Sequence, residues 1–87
     1  PIAVLEAIAC GCIPILLYSR PHQELGELGL QFILIPSDST IDIKNSILNA
    51  INLSKEEIKS IRVNNNQKIL NFSSINMLER YKQIAYY

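Results

Sequence analysis

The sequence predicts an α/β fold built on a partial parallel sheet and ending in helices. Two short aliphatic runs, residues 13–18 and 32–35, lack polar–apolar alternation, which is typical of parallel strands buried on both faces. Segments with helical spacing precede the first run and follow the second, and strands that alternate with helices form parallel sheets. Two strands cannot bury both faces of such a sheet alone, so the pattern indicates the C-terminal half of a Rossmann-like domain.

The first element is a predicted helix over residues 2–10. Pro1 suits its first turn, where a missing N–H costs nothing, and Gly11 is a plausible C-cap. The apolar side of this helix comprises Val4, Leu5, Ile8 and Ala9. The first strand follows directly, and Pro14 must stand at its start because proline cannot donate to a central strand.

The middle of the chain is a predicted loop over residues 19–31, in which residues 21–25 can form a short helix. Pro36 ends the second strand, and residues 37–40 form a turn that offers helix N-caps. We therefore divide the chain into a helix–strand–loop–strand part, residues 1–36, and a helical tail, residues 37–87.

Three helices are predicted in the tail. The first is indicated by apolar residues spaced three and four apart, namely Ile43, Ile47, Leu48 and Ile51. Ser54 and Glu57 form a capping box for the second, which extends to Leu70 although residues 64–66 are all asparagine, a poor helix former. The last helix is capped by Ser73 or Ser74, with Phe72 placed to pack onto Met77. It carries the apolar residues Ile75, Leu78, Tyr81 and Ile84 or Ala85.

Composition excludes several classes of function. The 87 residues are 48% apolar and only 18% charged, and they carry no net charge, so nothing favours a nucleic-acid partner. The longest apolar run, residues 7–18, is shorter than the roughly 18 residues that a membrane span needs. Cys10 and Cys12 are separated by one residue, so a disulfide between them would be strained and no second pair completes a zinc site. The simplest interpretation makes them small apolar fillers in a reducing compartment.

Glu6 is the first candidate for a functional residue. It is the one carboxylate in an otherwise apolar helix, where a charge is expensive unless it lies at a rim or has a partner. A rim carboxylate that caps or forms a salt bridge is the structural alternative to a ligand-binding role.

The opening, Pro-Ile-Ala-Val-Leu-Glu-Ala-Ile-Ala-Cys-Gly-Cys-Ile-Pro-Ile, resembles a known signature. It is similar to that of the retaining glycosyltransferase family called glycosyltransferase group 1 (family 4), which has the GT-B fold. That signature has two glutamates separated by seven residues, then a small-residue helix end and a strand. Glu6 matches the second glutamate, and the first would lie upstream of Pro1. Residues 71–81 loosely resemble the family's final helix, so the resemblance covers nearly all of the chain.

The resemblance implies that the chain is a fragment of the C-terminal nucleotide-sugar-binding domain, truncated after the first glutamate. Glu6 would hold the ribose of the donor, since a carboxylate accepts hydrogen bonds from a diol well. Ile2, Ala3 and Val4 would form the first helical turn, whose N–H groups and dipole suit a diphosphate. The first glutamate, implied to contact the transferred sugar, and the family's Arg/Lys pair on the donor phosphates are absent here.

The parent protein would transfer a sugar from a nucleotide-sugar donor, with retention, to a glycan or lipid-linked acceptor. The acceptor would bind mostly to an N-terminal domain missing here, so we expect the fragment alone to be inactive. The family generally needs no metal, and no cofactor besides the donor substrate is expected. The implied location is cytoplasmic, with peripheral membrane association only through the missing part.

Three further residues lie in the loop after the first strand, where the family often carries a Gly-Gly pair that this sequence lacks. His22 is more simply a solvated loop residue than a contact to donor or acceptor. Arg20 can reach a phosphate or stay exposed, and Glu24 resembles the family's Glu-Leu loop ending or pairs with a nearby cation. The alternative function is a non-catalytic Rossmann-like module for nucleotide binding or interaction.

Overall fold

A computed structural model describes residues 2–72 of the chain. The elements are helices α1 (Ile2–Ala9), α2 (Arg20–Glu27), α3 (Thr40–Ile51) and α4 (Lys55–Phe72) and strands β1 (Ile15–Leu17) and β2 (Ile33–Ile35). The predicted α/β class and the parallel sheet are confirmed, because β1 and β2 pair in parallel with Ile15 opposite Ile33. The helix predicted from Ser73 or Ser74 and the contact between Phe72 and Met77 lie outside the described residues.

α1 ends in a Schellman motif centred on Gly11. The Cys12 N–H donates to the Ala7 carbonyl at 3.0 Å, and the Gly11 N–H donates to the Ile8 carbonyl at 2.9 Å. Gly11 has φ +90°, a conformation that side-chain-bearing residues rarely adopt. The predicted glycine C-cap is therefore confirmed, and the chain turns there from α1 towards β1.

β1, α2 and β2 form a parallel strand–helix–strand unit. α2 is longer than the predicted 21–25, because Ser19 caps it and Pro21 stands in its first turn, where proline is tolerated. The Ser19 hydroxyl accepts a hydrogen bond from the His22 N–H at 3.3 Å. This capped helix carries the chain back from the end of β1 to the start of β2.

The core lies between helices α1, α2 and α4. Its buried residues are Leu5, Ile8, Leu25 and Leu30. Half-buried Val4, Phe32 and Ile69 pack around these four residues. The apolar side predicted for the first helix is thus confirmed at Leu5 and Ile8, while Ala9 is exposed.

The sheet is only partly covered, as expected for two strands that cannot bury both faces alone. Ile15, Leu17 and Leu34 are 40%, 45% and 38% exposed, so burial of the strands on both faces is not observed in the described chain. The physical reason is that a two-stranded sheet has too few neighbours: α3 packs against both strands, but much aliphatic surface stays uncovered.

α3 begins after Ser39, whose hydroxyl accepts a hydrogen bond from the Asp42 N–H at 3.2 Å. Its only buried residue is Ser46. The spacing-derived helix is confirmed, but the residues that predicted it do not enter a core. Exposed members of that stripe are Ile43, Ile47, Leu48 and Ile51.

α4 begins with the predicted capping box. The Glu57 N–H donates to the Ser54 hydroxyl at 3.0 Å, and the Ser54 N–H donates to the Glu57 carboxylate at 3.4 Å. The helix then continues through residues 64–66 despite their poor propensity. Asn65 is 2% exposed and hydrogen-bonded to the backbone of Gln31, so tertiary contacts outweigh propensity here.

Candidate functional site

The carboxyl ends of β1 and β2 lie side by side. Beyond the ladder itself, the Tyr18 N–H donates to the Ile35 carbonyl at 2.8 Å, so the two segments that leave the strands begin next to each other. In parallel α/β sheets, ligands bind outside the carboxyl ends of the strands. Residues 18–24 and 36–42 therefore form the edge to search for a site.

His22 is held at this edge by the backbone of β1. Its Nδ1 lies 2.7 Å from the Leu17 carbonyl oxygen. Because a carbonyl oxygen only accepts, Nδ1 carries the hydrogen, and in the neutral ring Nε2 is left as an acceptor. The residue predicted as a solvated loop histidine is half-buried in the first turn of α2, with its ring fixed by the end of β1.

Two polar pairs flank His22, and one of them lies entirely within α2. The Tyr18 hydroxyl donates to the Gln23 side-chain oxygen at 2.9 Å. Arg20 and Glu24 form an ion pair at 3.4 Å with side chains 76% and 57% exposed, where solvent leaves little net stabilisation. Glu24 therefore pairs with a nearby cation, as one of its two predicted alternatives has it, and Arg20 is exposed.

The segment after β2 is ordered by hydroxyl groups. The Ser37 hydroxyl donates to the Asp42 carboxylate at 2.6 Å and accepts from the Ser39 N–H at 3.2 Å. Asp42 is half-buried in the first turn of α3, where a negative charge complements the helix dipole. This edge therefore carries a serine–aspartate pair after β2 and a tyrosine and a histidine after β1.

The residues predicted to bind the donor lie in the first two turns of α1. Ala3 and Glu6 are exposed, whereas Ile2 and Val4 are half-buried and Val4 packs against the core. Among residues 2–72, Glu6 makes no side-chain hydrogen bond or ion pair, so its oxygens are free for a ligand or for water. Because Glu6 is exposed, its carboxylate stays hydrated, and its charge carries no desolvation penalty although the helix is otherwise apolar.

Within the described residues, Glu6 forms no hydrogen bond or ion pair with His22, Arg20 or Glu24. α1 and α2 meet through the core, where Leu5 and Ile8 cluster with Leu25, and not through their polar residues. Sequence reasoning missed Tyr18 and the Ser37–Asp42 pair. Their position immediately after each aliphatic run is the signal that points to them.

A scan against protein-family models matches none of them, and searches of curated proteins and of solved structures return no match. Among residues 2–72, no helix is long and apolar enough to cross a membrane. Within the same residues, no group of three or more histidine, cysteine or acidic side chains is placed to hold a metal ion.

Proposed function

We propose that this chain is part of the nucleotide-sugar-binding domain of a retaining GT-B glycosyltransferase. The parent would transfer a sugar from a nucleotide-sugar donor to a glycan or lipid-linked acceptor. The observation that carries the proposal is the exposed, unengaged carboxylate of Glu6, one turn into a helix that ends at a glycine Schellman motif and leads into a parallel strand. The resemblance of the opening sequence assigns the same position to donor binding.

Glu6 is the proposed ribose ligand. An ionised carboxylate has lone pairs for both hydroxyls of a diol, and hydrogen bonds to charged groups are about twice as strong as neutral ones. The neighbouring Leu5 and Ile8 are buried and anchor α1, so the carboxylate stands on a rigid helix. A group fixed in this way loses little freedom when the ligand binds.

The first turn of α1 is the proposed diphosphate site. The first N–H groups of a helix have no partner within it, and the dipole favours an anion there. Ile2, Ala3 and Val4 would present these N–H groups, and none of them carries a charge that would repel a phosphate. Fixed positive dipoles of this kind stabilise the charge that develops on a leaving diphosphate.

The decisive experiment is transfer or hydrolysis of nucleotide sugars by the intact protein, with whatever sequence flanks these 87 residues in its gene. UDP-, GDP- and ADP-linked donors are compared, and the Glu6→Ala variant is the control. Turnover that depends on Glu6 supports the glycosyltransferase proposal and identifies the donor. Neither turnover nor binding with any of these donors would refute it.

A second candidate is a non-catalytic Rossmann-like module for nucleotide binding or interaction. It is favoured by one departure from the family pattern: the segment after β1 lacks the Gly-Gly pair that the family often carries in this loop, and it forms the capped helix α2 instead. A nucleotide-sugar donor can approach the backbone of a glycine turn more closely than that of a turn whose residues carry side chains. Nucleotide binding without turnover in the intact protein would favour this candidate.

A further inference from the structure

The Cys10–Gly11–Cys12 turn presents two free thiols to solvent. Both cysteines are exposed and neither forms a disulfide, so the interpretation of these residues as apolar fillers is wrong. The proposed function uses neither of them. Their value as ligands depends on how firmly and how closely together the fold holds them.

Hydrogen bonds fix this turn to two helices. The N–H groups of Cys10 and Cys12 donate to consecutive backbone carbonyls of α1, each at 3.0 Å. From α4, the Arg62 Nε donates to the Gly11 carbonyl oxygen at 2.8 Å, so the residue between the cysteines is held as well. A ligand that binds to both thiols therefore has little backbone freedom to remove.

Both cysteines are neighbours of one small residue, Ala7. Cys10 follows Ala7 by three positions, a spacing that places two Cβ atoms about 5–6 Å apart on a helix surface. Cys12 follows the glycine of the Schellman motif, and the residue in that position commonly packs against the one five positions earlier, which is Ala7. The motif thus directs both thiols to the same side of the helix end, where an alanine leaves room between them.

This spacing suits a bridging ion better than a direct S–S bond. A disulfide needs sulfurs about 2.05 Å apart, and a single intervening residue strains that geometry. Two thiolates on one metal ion, at about 2.3 Å each as in zinc sites, can hold their sulfurs up to about 4.6 Å apart. An ion placed between the sulfurs therefore avoids the strain that opposes the disulfide.

The described residues restrict this ion to one that two thiolates satisfy. Structural zinc takes four ligands, and among residues 2–72 no third histidine, cysteine or acidic side chain is placed to join the pair. Thiolates are soft ligands that favour soft ions such as Cu(I). Cu(I) with two thiolates carries one net negative charge, and the guanidinium of Arg62, held at the Gly11 carbonyl, supplies the opposite charge.

We propose that Cys10 and Cys12 form a two-coordinate site for Cu(I). The ion binds both sulfurs, the two thiols release one proton each, and no atom changes its oxidation state. Because both cysteines are exposed, an incoming thiolate can reach the bound ion, so the site suits exchange of copper with other thiols. The inference is independent of the proposed function, since it uses neither the Glu6 carboxylate nor the sheet edge.

Anaerobic titration of the reduced chain with Cu(I) tests this site. Native mass spectrometry should show one ion per chain, and competition with a coloured Cu(I) chelator gives the affinity. Cys10→Ser and Cys12→Ser should each weaken binding roughly a hundredfold or more, because either variant leaves a single thiolate. Zn²⁺ should bind at least about a hundredfold more weakly than Cu(I), since it lacks two of its four ligands.

Arginine and lysine variants test the charge beside the thiols. Arg62→Gln should weaken Cu(I) binding roughly tenfold, as expected for a group that acts on a metal site without binding the ion. Lys44→Gln removes the same charge from an exposed position on α3 and should leave the affinity unchanged. Equal affinities of these two variants would overturn the role of the guanidinium.

Three further results would overturn the site itself. Binding that survives undiminished in either serine variant would show that the two thiols do not act as a pair. One ion shared between two chains would show that the cysteines bridge molecules and do not chelate within the turn. Equal affinities for Zn²⁺ and Cu(I) would exclude a two-coordinate site.

Discussion

The side-chain amide of Asn65 pairs with both backbone groups of Gln31. Its oxygen accepts from the Gln31 N–H and its nitrogen donates to the Gln31 carbonyl, each at 2.8 Å. The neighbouring Asn64 donates to the Gly29 carbonyl at 2.9 Å. Residue 31 comes shortly before β2. The asparagine side chains of α4 therefore fix the backbone before the second strand by hydrogen bonds of the kind that a neighbouring strand would supply.

Replacing Asn65 should therefore destabilise the fold. Asn65→Ala removes three hydrogen bonds at a site that is 2% exposed, namely the two to the Gln31 backbone and one from the Asn64 side chain. The Gln31 backbone groups lose these partners, which we expect to cost about 2 kcal/mol of unfolding free energy. Urea denaturation at matched protein concentration measures the change. Asn66→Ala, exposed on the same helix, is the control and should stay within about 0.5 kcal/mol of the wild type. Equal stability of the two variants would contradict the role of Asn65.

Gly29 and Gly26 should respond to alanine with opposite signs. Gly29 has φ +94°, so Gly29→Ala should cost about 1–2 kcal/mol through backbone strain. Gly26 lies inside α2, where an added Cβ would meet the Phe32 ring at an ordinary 3.7 Å, so Gly26→Ala should stabilise by up to about 1 kcal/mol. Thermal or urea denaturation gives both values.

The Gly29 prediction has a second arm. An added Cβ would also approach Lys68 Cε at 2.8 Å, but that atom belongs to a flexible side chain that can move. The cost of Gly29→Ala should therefore be nearly the same when Lys68 is already alanine. The Gly29→Ala/Lys68→Ala variant should be less stable than Lys68→Ala by about the amount that Gly29→Ala costs the wild type. If Gly29→Ala cost nothing in the Lys68→Ala background, crowding by the lysine, and not backbone strain, would account for the lost stability.

Local signals in the sequence predicted much of the fold. The capping box at Ser54, the glycine at the end of α1 and the proline that ends β2 are confirmed because each acts through its immediate neighbours. Burial was harder to predict. The spacing of Ile47 and Ile51 indicates a helix, but it does not say whether the described chain contains anything to cover them.

The candidate site likewise combines features that the local sequence predicts with contacts that it does not predict. Glu6 is exposed, but among residues 2–72 it neither caps a helix nor forms a salt bridge, so its ligand-binding role stays a prediction. The anchoring of His22 by the Leu17 carbonyl depends on where α2 begins after β1, and the Asn65–Gln31 pairing joins residues 34 positions apart. Neither contact leaves a local pattern in the chain.

The exposed aliphatic face of α3 should make the isolated chain self-associate. Ile47 and Ile51 are 43% and 71% exposed, and exposed apolar surface of this kind favours association. The Ile47→Lys/Ile51→Lys variant should weaken association tenfold or more, since each buried isoleucine contributes about 1.5–3 kcal/mol. Sedimentation velocity at matched concentrations measures this. Asn45→Lys, an exposed polar position on α3, adds the same kind of charge and should have no comparable effect. A monodisperse wild-type monomer would contradict the prediction.

Glu6→Ala should weaken nucleotide-sugar binding by the intact protein by about 1–3 kcal/mol, roughly five- to 150-fold in Kd, the usual cost of losing hydrogen bonds to a charged group. Calorimetric titration with the donor identified by turnover measures the change. Glu27→Ala removes an exposed carboxylate from the end of α2 and serves as the matched control for net charge. Glu6→Gln separates charge from shape, because it retains an acceptor oxygen but loses the charge, so its Kd should fall between those of wild type and Glu6→Ala. Unchanged affinity in a folded Glu6→Ala protein would remove Glu6 from the donor site.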